Sequence, residues 1–172
     1  MTEAQRFRQA VRTAGAMDGL ALSLNLSIGR EGALFDNDEP LRRITHYINR
    51  ELKKDGLSGL PYALKVEICR TSRKLHLHGV IIPGDESLDA IKGALRRAAG
   101  EWQGRAKARQ IDLKPISDAD GWADYLMKAE RDTDEAIRGD RLTFNNTAIK
   151  RIAKEFSSDR RMSATSSSGC YS

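Results

Sequence analysis

Two histidines one residue apart, His76 and His78, stand in the run LHLHGVII, and a glutamate, Glu67, stands in the preceding run YALKVEIC. Imidazole nitrogens and a carboxylate oxygen can hold a divalent cation while leaving positions for water or a substrate oxygen. They do so only if they point to one place. Alternate side chains of an extended strand share a face. Leu64, Val66 and Ile68 then share a face of the first run, and Leu75, Leu77, Gly79 and Ile81 share a face of the second. These apolar faces belong over a core. The opposite faces carry Lys65, Glu67 and Cys69, and His76, His78 and Val80. The short polar link RTSRK predicts a hairpin. With Arg70 opposite Leu75 across a four-residue loop, Glu67 falls opposite His78 and Cys69 opposite His76. Opposed residues have Cβ atoms about 4.5–5.5 Å apart. The donor set admits Mn²⁺, Zn²⁺ or Fe²⁺ and, with few ligands, Mg²⁺. The competing reading makes both histidines plain polar residues of an exposed sheet face. Against it stand the strict apolar alternation and the carboxylate placed to join them. Cys69 reads as a neighbour, and His46, the third of the chain's 3 histidines, as a surface residue of a helix.

The elements that must position these groups follow from periodicity. A short helix is predicted from about Glu3 to Thr13. Leu20 to Ile28 alternates apolar and small polar residues and reads as a half-buried strand. GREGALFDNDE reads as a loop by its Gly, Asn and Asp content. Pro40 opens a helix with Leu41, Ile44, Ile48 and Leu52 at helical spacing. After the hairpin strands, Tyr62 to Cys69 and Leu75 to Ile82, residues Leu88, Ile91, Leu95 and Ala98 mark a second amphipathic helix. Arg109 to Ile116 reads as a fourth strand. Ser117 or Asp118 can cap a third helix from about Ala119 to Arg131. A last helix is predicted over Phe144 to Phe156. The order is that of a ferredoxin-like split βαβ domain: an antiparallel sheet in the α+β class, with helices on one face, a second face that can be left free, and an added nucleophile-bearing helix. The domain is expected to span residues 1–160, and residues 161–172 read as a disordered Ser-rich tail.

Bulk properties narrow the function classes. The chain has 172 residues, 40% hydrophobic and 31% charged, which suits one core and excludes a disordered chain. Lys and Arg number 29 against 24 Asp and Glu, a mild excess that fits a polyanionic partner. No apolar run approaches the roughly 18 residues of a membrane span. No Cys/His zinc spacing occurs, and Cys170 in the tail makes a structural disulfide with Cys69 an unsuitable reading. A reducing, cytoplasmic setting is the default expectation.

The pattern His76-Leu77-His78, followed by GVIIP, resembles the signature of the HUH endonucleases. Tyr125 and Lys128 lie three apart and so share a face of the third helix. They resemble the YxxK motif of the family's single-tyrosine, rolling-circle replication initiators. The tyrosine follows the histidines after one helix and one strand, as it does there. The resemblance covers roughly Leu20 to Arg131. It implies metal-dependent nicking and rejoining of single-stranded DNA through a 5′-phosphotyrosine intermediate on Tyr125. Lys128 would favour the phenolate of a group that otherwise titrates near pKa 10, or hold a phosphate. Glu67, His76 and His78 would hold Mg²⁺ or Mn²⁺. Ala129 and Gly121 occupy the places of a second tyrosine, so one nucleophile is expected; Tyr47 and Tyr62 read as structural.

The expected partner is single-stranded DNA at the replication origin of a plasmid or phage. No P-loop GxxxxGK(S/T) occurs, so a host helicase and polymerase are implied. Arg70, Arg73 and Lys74, in the hairpin turn beside the metal ligands, are the expected DNA contacts. A related transposase or relaxase is an alternative, although relaxases bring a third histidine that has no counterpart nearby. A non-catalytic single-strand binder is another. Such modules stack bases on sheet aromatics, which the hairpin's polar faces lack.

Overall fold

The computed structural model describes residues 1–35, 38–69, 71–128, 133 and 142–166. Five strands, β1 (Leu20–Asn25), β2 (Tyr62–Ile68), β3 (Leu75–Ile81), β4 (Ile111–Pro115) and β5 (Thr143–Asn145), form one sheet in the order β4-β1-β3-β2-β5. Every neighbouring pair is antiparallel. The first four strands have the ferredoxin-like split βαβ arrangement, and β5 extends its β2 edge. Helices α1 (Glu3–Ala16), α2 (Ile28–Phe35), α3 (Pro40–Lys54), α4 (Leu88–Ala99), α5 (Ala119–Lys128) and α6 (Thr147–Ser166) pack on the sheet.

The local reasons are those of ordinary capping and patterning. The Thr2 hydroxyl accepts from the Gln5 amide while the Gln5 side chain accepts from the Thr2 amide, a reciprocal capping box that starts α1. Pro40 stands in the first turn of α3, where its missing N–H costs nothing. Asp118 accepts from the Gly121 amide at 2.9 Å and caps α5. Gly100 ends α4 at φ +79°, and a Cβ there would meet Ser27 Oγ at 2.1 Å. Alternate residues of the central strands are apolar, so Leu22, Leu24, Leu64, Val66 and Leu77 pack with Ile44, Ile48, Leu52, Ile91 and Leu95 of α3 and α4.

Three expectations change. The second sheet face is not free. Phe7, Val11, Ala123, Leu126 and Ile149 cover Ala63 and Val80 there, so α1, α5 and α6 make a second layer. Strand β1 stops at Asn25, and the segment read as a loop contains α2. Gly29 and Gly32 make this a poor helix by propensity. Tertiary bonds hold it instead: Leu34 is buried, Ser27 Oγ accepts from the Arg30 amide at 3.3 Å, and Glu31 accepts from the Leu75 amide at 2.7 Å. The predicted last helix begins at Thr147, because Thr143–Asn145 pair with β2 first. Asn146 then caps α6, accepting from the Ile149 amide at 3.0 Å. Helix α6 runs to Ser166, past the expected boundary at residue 160, and residues 167–172 lie outside the described residues.

Candidate metal centre

Glu67, His76 and His78 converge as their shared strand faces require. One donor atom from each lies within 4.8 Å of the other two. The His76 and His78 ring centroids are 5.1 Å apart, and His78 Nε2 lies 3.8 Å from Glu67 Oε2. The pairing differs from expectation by two residues. Glu67 stands opposite His76, Lys65 opposite His78, and Ile68 opposite Leu75. Cys69 N–H donates to Lys74 O at 2.9 Å, and Arg73 takes the left-handed conformation at φ +56°. A slip of two keeps every side chain on its face. The cluster survives because His78 lies diagonally from Glu67, within reach of these side chains.

The surroundings prepare the three groups as ligands. Burial pushes the Glu67 carboxyl up, opposed in part by the Lys65 charge. Its Oε2 is buried with no hydrogen-bond partner among the described residues, an arrangement that a bound cation would resolve. Burial pushes His76 down. It pushes His78 down to about 4, with smaller contributions from the His76 and Lys65 charges. Both imidazoles are therefore neutral at pH 7 and offer lone pairs. Ser23, opposite His78 on β1, has its hydroxyl 2.9 Å from His78 Nδ1. With the proton on Nδ1 donated to Ser23 Oγ, Nε2 is left as the acceptor on the Glu67 side. The cluster can hold a metal ion.

Helix α5 brings Tyr125 to the same place. Trp122 and Tyr125, three apart on one helical face, are stacked at 5.2 Å with their planes 10° apart. The His78 ring meets both edge-on, with centroids at 5.9 Å from Trp122 and 6.1 Å from Tyr125. Trp122 Nε1 donates to the Gly79 carbonyl at 3.1 Å. The buried Lys65 ammonium donates to the Leu126 carbonyl near the end of α5. Ion pairs Arg8–Asp124 and Arg12–Asp120 tie α5 to α1. Tyr125 is 50% exposed, so its phenol combines solvent access with proximity to the cluster. Lys128 is exposed at the end of the same helix.

The other candidates separate clearly. Arg73 and Lys74 are exposed in the turn that joins the ligand-bearing strands, and Arg70 lies outside the described residues. Cys69 is outside the cluster, its Sγ 3.3 Å from Thr71 Oγ1. Hydrogen bonds with Ser72 and Thr71 pull its thiol down to about 6. His46 is exposed beside Tyr47 on α3, the helix that packs over the opposite sheet face. Tyr62 is buried and donates to Asn49 Oδ1 at 2.7 Å, and Tyr47 lies under the Arg30 guanidinium at 3.8 Å; both are structural. Reading the sequence missed Ser23, Lys65 and Trp122 as parts of the site. Ser23 and Lys65 lie on the strand faces that carry the histidines, which was the available signal.

Comparisons with protein-family models, with curated proteins and with solved structures find no match. No helix among the described residues is long and apolar enough to cross a membrane.

Proposed function

We propose that this chain nicks and rejoins single-stranded DNA through a covalent tyrosine intermediate, in the manner of the HUH endonucleases it resembles. The observation that carries the reading is the position of Tyr125, half-exposed and edge-on to His78 of the three-ligand cluster. Glu67, His76 and His78 would hold the cation, Mn²⁺ more readily than Mg²⁺ because two donors are imidazoles. When bound, it supplies Lewis-acid polarisation of a phosphoryl oxygen. Tyr125 Oη attacks the scissile phosphorus and gives up its proton. The P–O3′ bond breaks, the 3′ oxygen leaves as a hydroxyl after taking a proton, and the 5′ phosphate remains on Tyr125. That polarity follows the family resemblance. The bond energy is kept in the phosphotyrosine, so the reverse attack rejoins the strand without ATP. Lys128 would hold a phosphate or favour the phenolate. The setting proposed is a cytoplasmic replicon, with a host helicase and polymerase completing replication.

A second reading, a non-catalytic single-strand binder, draws on the Trp122–Tyr125 stack, half-exposed at Tyr125, a platform of the kind on which bases stack. One experiment separates the two. Single-stranded oligonucleotides incubated with the protein and Mn²⁺ should give a DNA adduct stable on a denaturing gel. Tyr125→Phe should bind Mn²⁺ and DNA as before and form no adduct. Peptide mapping to another tyrosine would move the nucleophile. Cleavage by Tyr125→Phe with free 5′-phosphate ends would discard the tyrosine mechanism.

A further inference from the structure

We infer that Trp122 is the positioning residue for Tyr125: a flat plate fixed to β3 that holds the phenol ring beside the metal cluster. The inference rests on the nicking function proposed above and goes beyond it, since it assigns a role to a residue that neither the metal nor the nucleophile requires.

Tyr125 is 50% exposed, so packing with the core alone leaves its ring room to change rotamer. A nucleophile that swings through several positions spends little time in line with a scissile phosphate, and a displacement of 1 Å can cost on the order of 10²-fold in rate. Trp122 supplies the missing constraint. Its ring lies 5.2 Å from that of Tyr125, with an interplanar angle of 10°. This is an offset-stacked geometry that aromatic pairs favour.

The plate is itself held. The indole Nε1–H donates to the Gly79 carbonyl at 3.1 Å, and Gly79 is the residue after the ligand His78. Gly79 admits no side chain, because a Cβ there would meet the Ala63 carbonyl oxygen at 2.0 Å. The indole is therefore bonded to a backbone segment that close strand packing fixes in place. The His78 ring closes the arrangement, meeting Trp122 at 86° and Tyr125 at 83°. One aromatic triad thus links a metal ligand, a plate and a nucleophile. Burial alone would need neither the parallel ring faces nor the hydrogen bond to the strand that carries the histidines.

The test uses the full chain, Mn²⁺ and a random-sequence single-stranded oligonucleotide library. Trp122→Leu removes the flat face. It should lower the rate of adduct formation at saturating DNA on the order of 10²-fold, with the half-saturating DNA concentration and Mn²⁺ binding unchanged. Trp122→Phe keeps a ring to stack on and should recover most of the rate. The Tyr125 ring protons, assigned by their absence in Tyr125→Phe, should be shifted upfield by the neighbouring ring in wild type and in Trp122→Phe, and not in Trp122→Leu. If Trp122→Leu does not fold, Trp122→Met, which fills the volume without a flat face, takes its place in both measurements. Adduct formation by the unstacked variant at the wild-type rate overturns the positioning role and leaves the nicking function standing. Equal loss in Trp122→Phe, or loss of Mn²⁺ binding together with rate in a folded variant, also overturns it. A wild type that forms no adduct removes the nicking function, and the positioning role with it.

Discussion

Ser23 reaches across the β1–β3 ladder to His78, and its hydroxyl contact at 2.9 Å can hold the ring in the tautomer that carries the proton on Nδ1. A metal-binding imidazole needs that control, because the wrong tautomer presents N–H where a lone pair is required. Ser23→Ala should therefore weaken Mn²⁺ binding about 10–100-fold, the usual effect of losing such an outer partner. Titration calorimetry measures it, and an unchanged affinity would show that the ring needs no such orientation. Replacing both His76 and His78 by Ala should abolish binding while leaving the fold in place. Their rings lie on the half-buried side of the strand, and the opposite side makes the core. Ligand binding to the native state alone raises its melting temperature. Mn²⁺ should accordingly raise that of the wild type, EDTA should reverse the rise, and the double variant should show none.

Helices α3 and α4 are joined by a buried carboxylate. Glu51 accepts from Lys54 at 2.8 Å, from Arg50 at 3.0 Å and from Arg97 at 3.1 Å. The Lys54 hydrogen bond, ahead of those from Arg97 and Arg50, outweighs burial and holds the carboxyl at about 2. A carboxyl depressed in the folded state stabilises above its unfolded pKa and loses that contribution as pH falls through the folded one. Here the window runs from about 4.5 down to about 2. Glu51→Gln should cost about 1–3 kcal/mol at pH 7, the worth of charge-assisted bonds lost. Urea melts of the two proteins should draw together as pH falls through that window; a constant gap would assign the loss to packing. The hairpin faces, α3, α4 and the strand order were legible because their apolar residues repeat at the strand or helix period over whole elements. The hairpin register was not, since its left-handed position falls on Arg73, neither Gly nor Asn. Helix α2 hides behind Gly29 and Gly32, and β5 has only 3 residues in which to show a period. Helix α5 was placed by its cap and periodicity. That Tyr125 meets His78 was expected from resemblance alone, because no local pattern tells which sheet face a later helix covers.

At the scale of the molecule the two sheet faces divide the work. One carries α3 and α4 over the larger core; the other holds the cluster, under α5 and beside the turn joining β2 and β3. The chain's formal net charge is +5, too small for its overall field to hold a polyanion firmly, so under the proposed function the local placement of cations would decide where DNA lies. Arg73 and Lys74 are exposed in that turn, and Lys74 is two residues from His76 of the cluster. A strand crossing them would arrive at the metal cluster and at Tyr125. Contacts of this kind release counterions and set the salt dependence without reading sequence. For single strands the slope of log affinity against log salt changes by about 0.7 per phosphate contact, so losing two should flatten it by roughly 1.4. Arg73→Glu with Lys74→Glu should therefore weaken oligonucleotide binding at low salt and lose much of that penalty at high salt, while Mn²⁺ binding is kept. Ser23→Ala should do the reverse, weakening Mn²⁺ binding without touching the salt slope. Fluorescence anisotropy across a salt series measures both variants. Equal affinity and equal slope for the charge-reversed protein would place the DNA on another surface, with Lys128 and the α5 end the next to test.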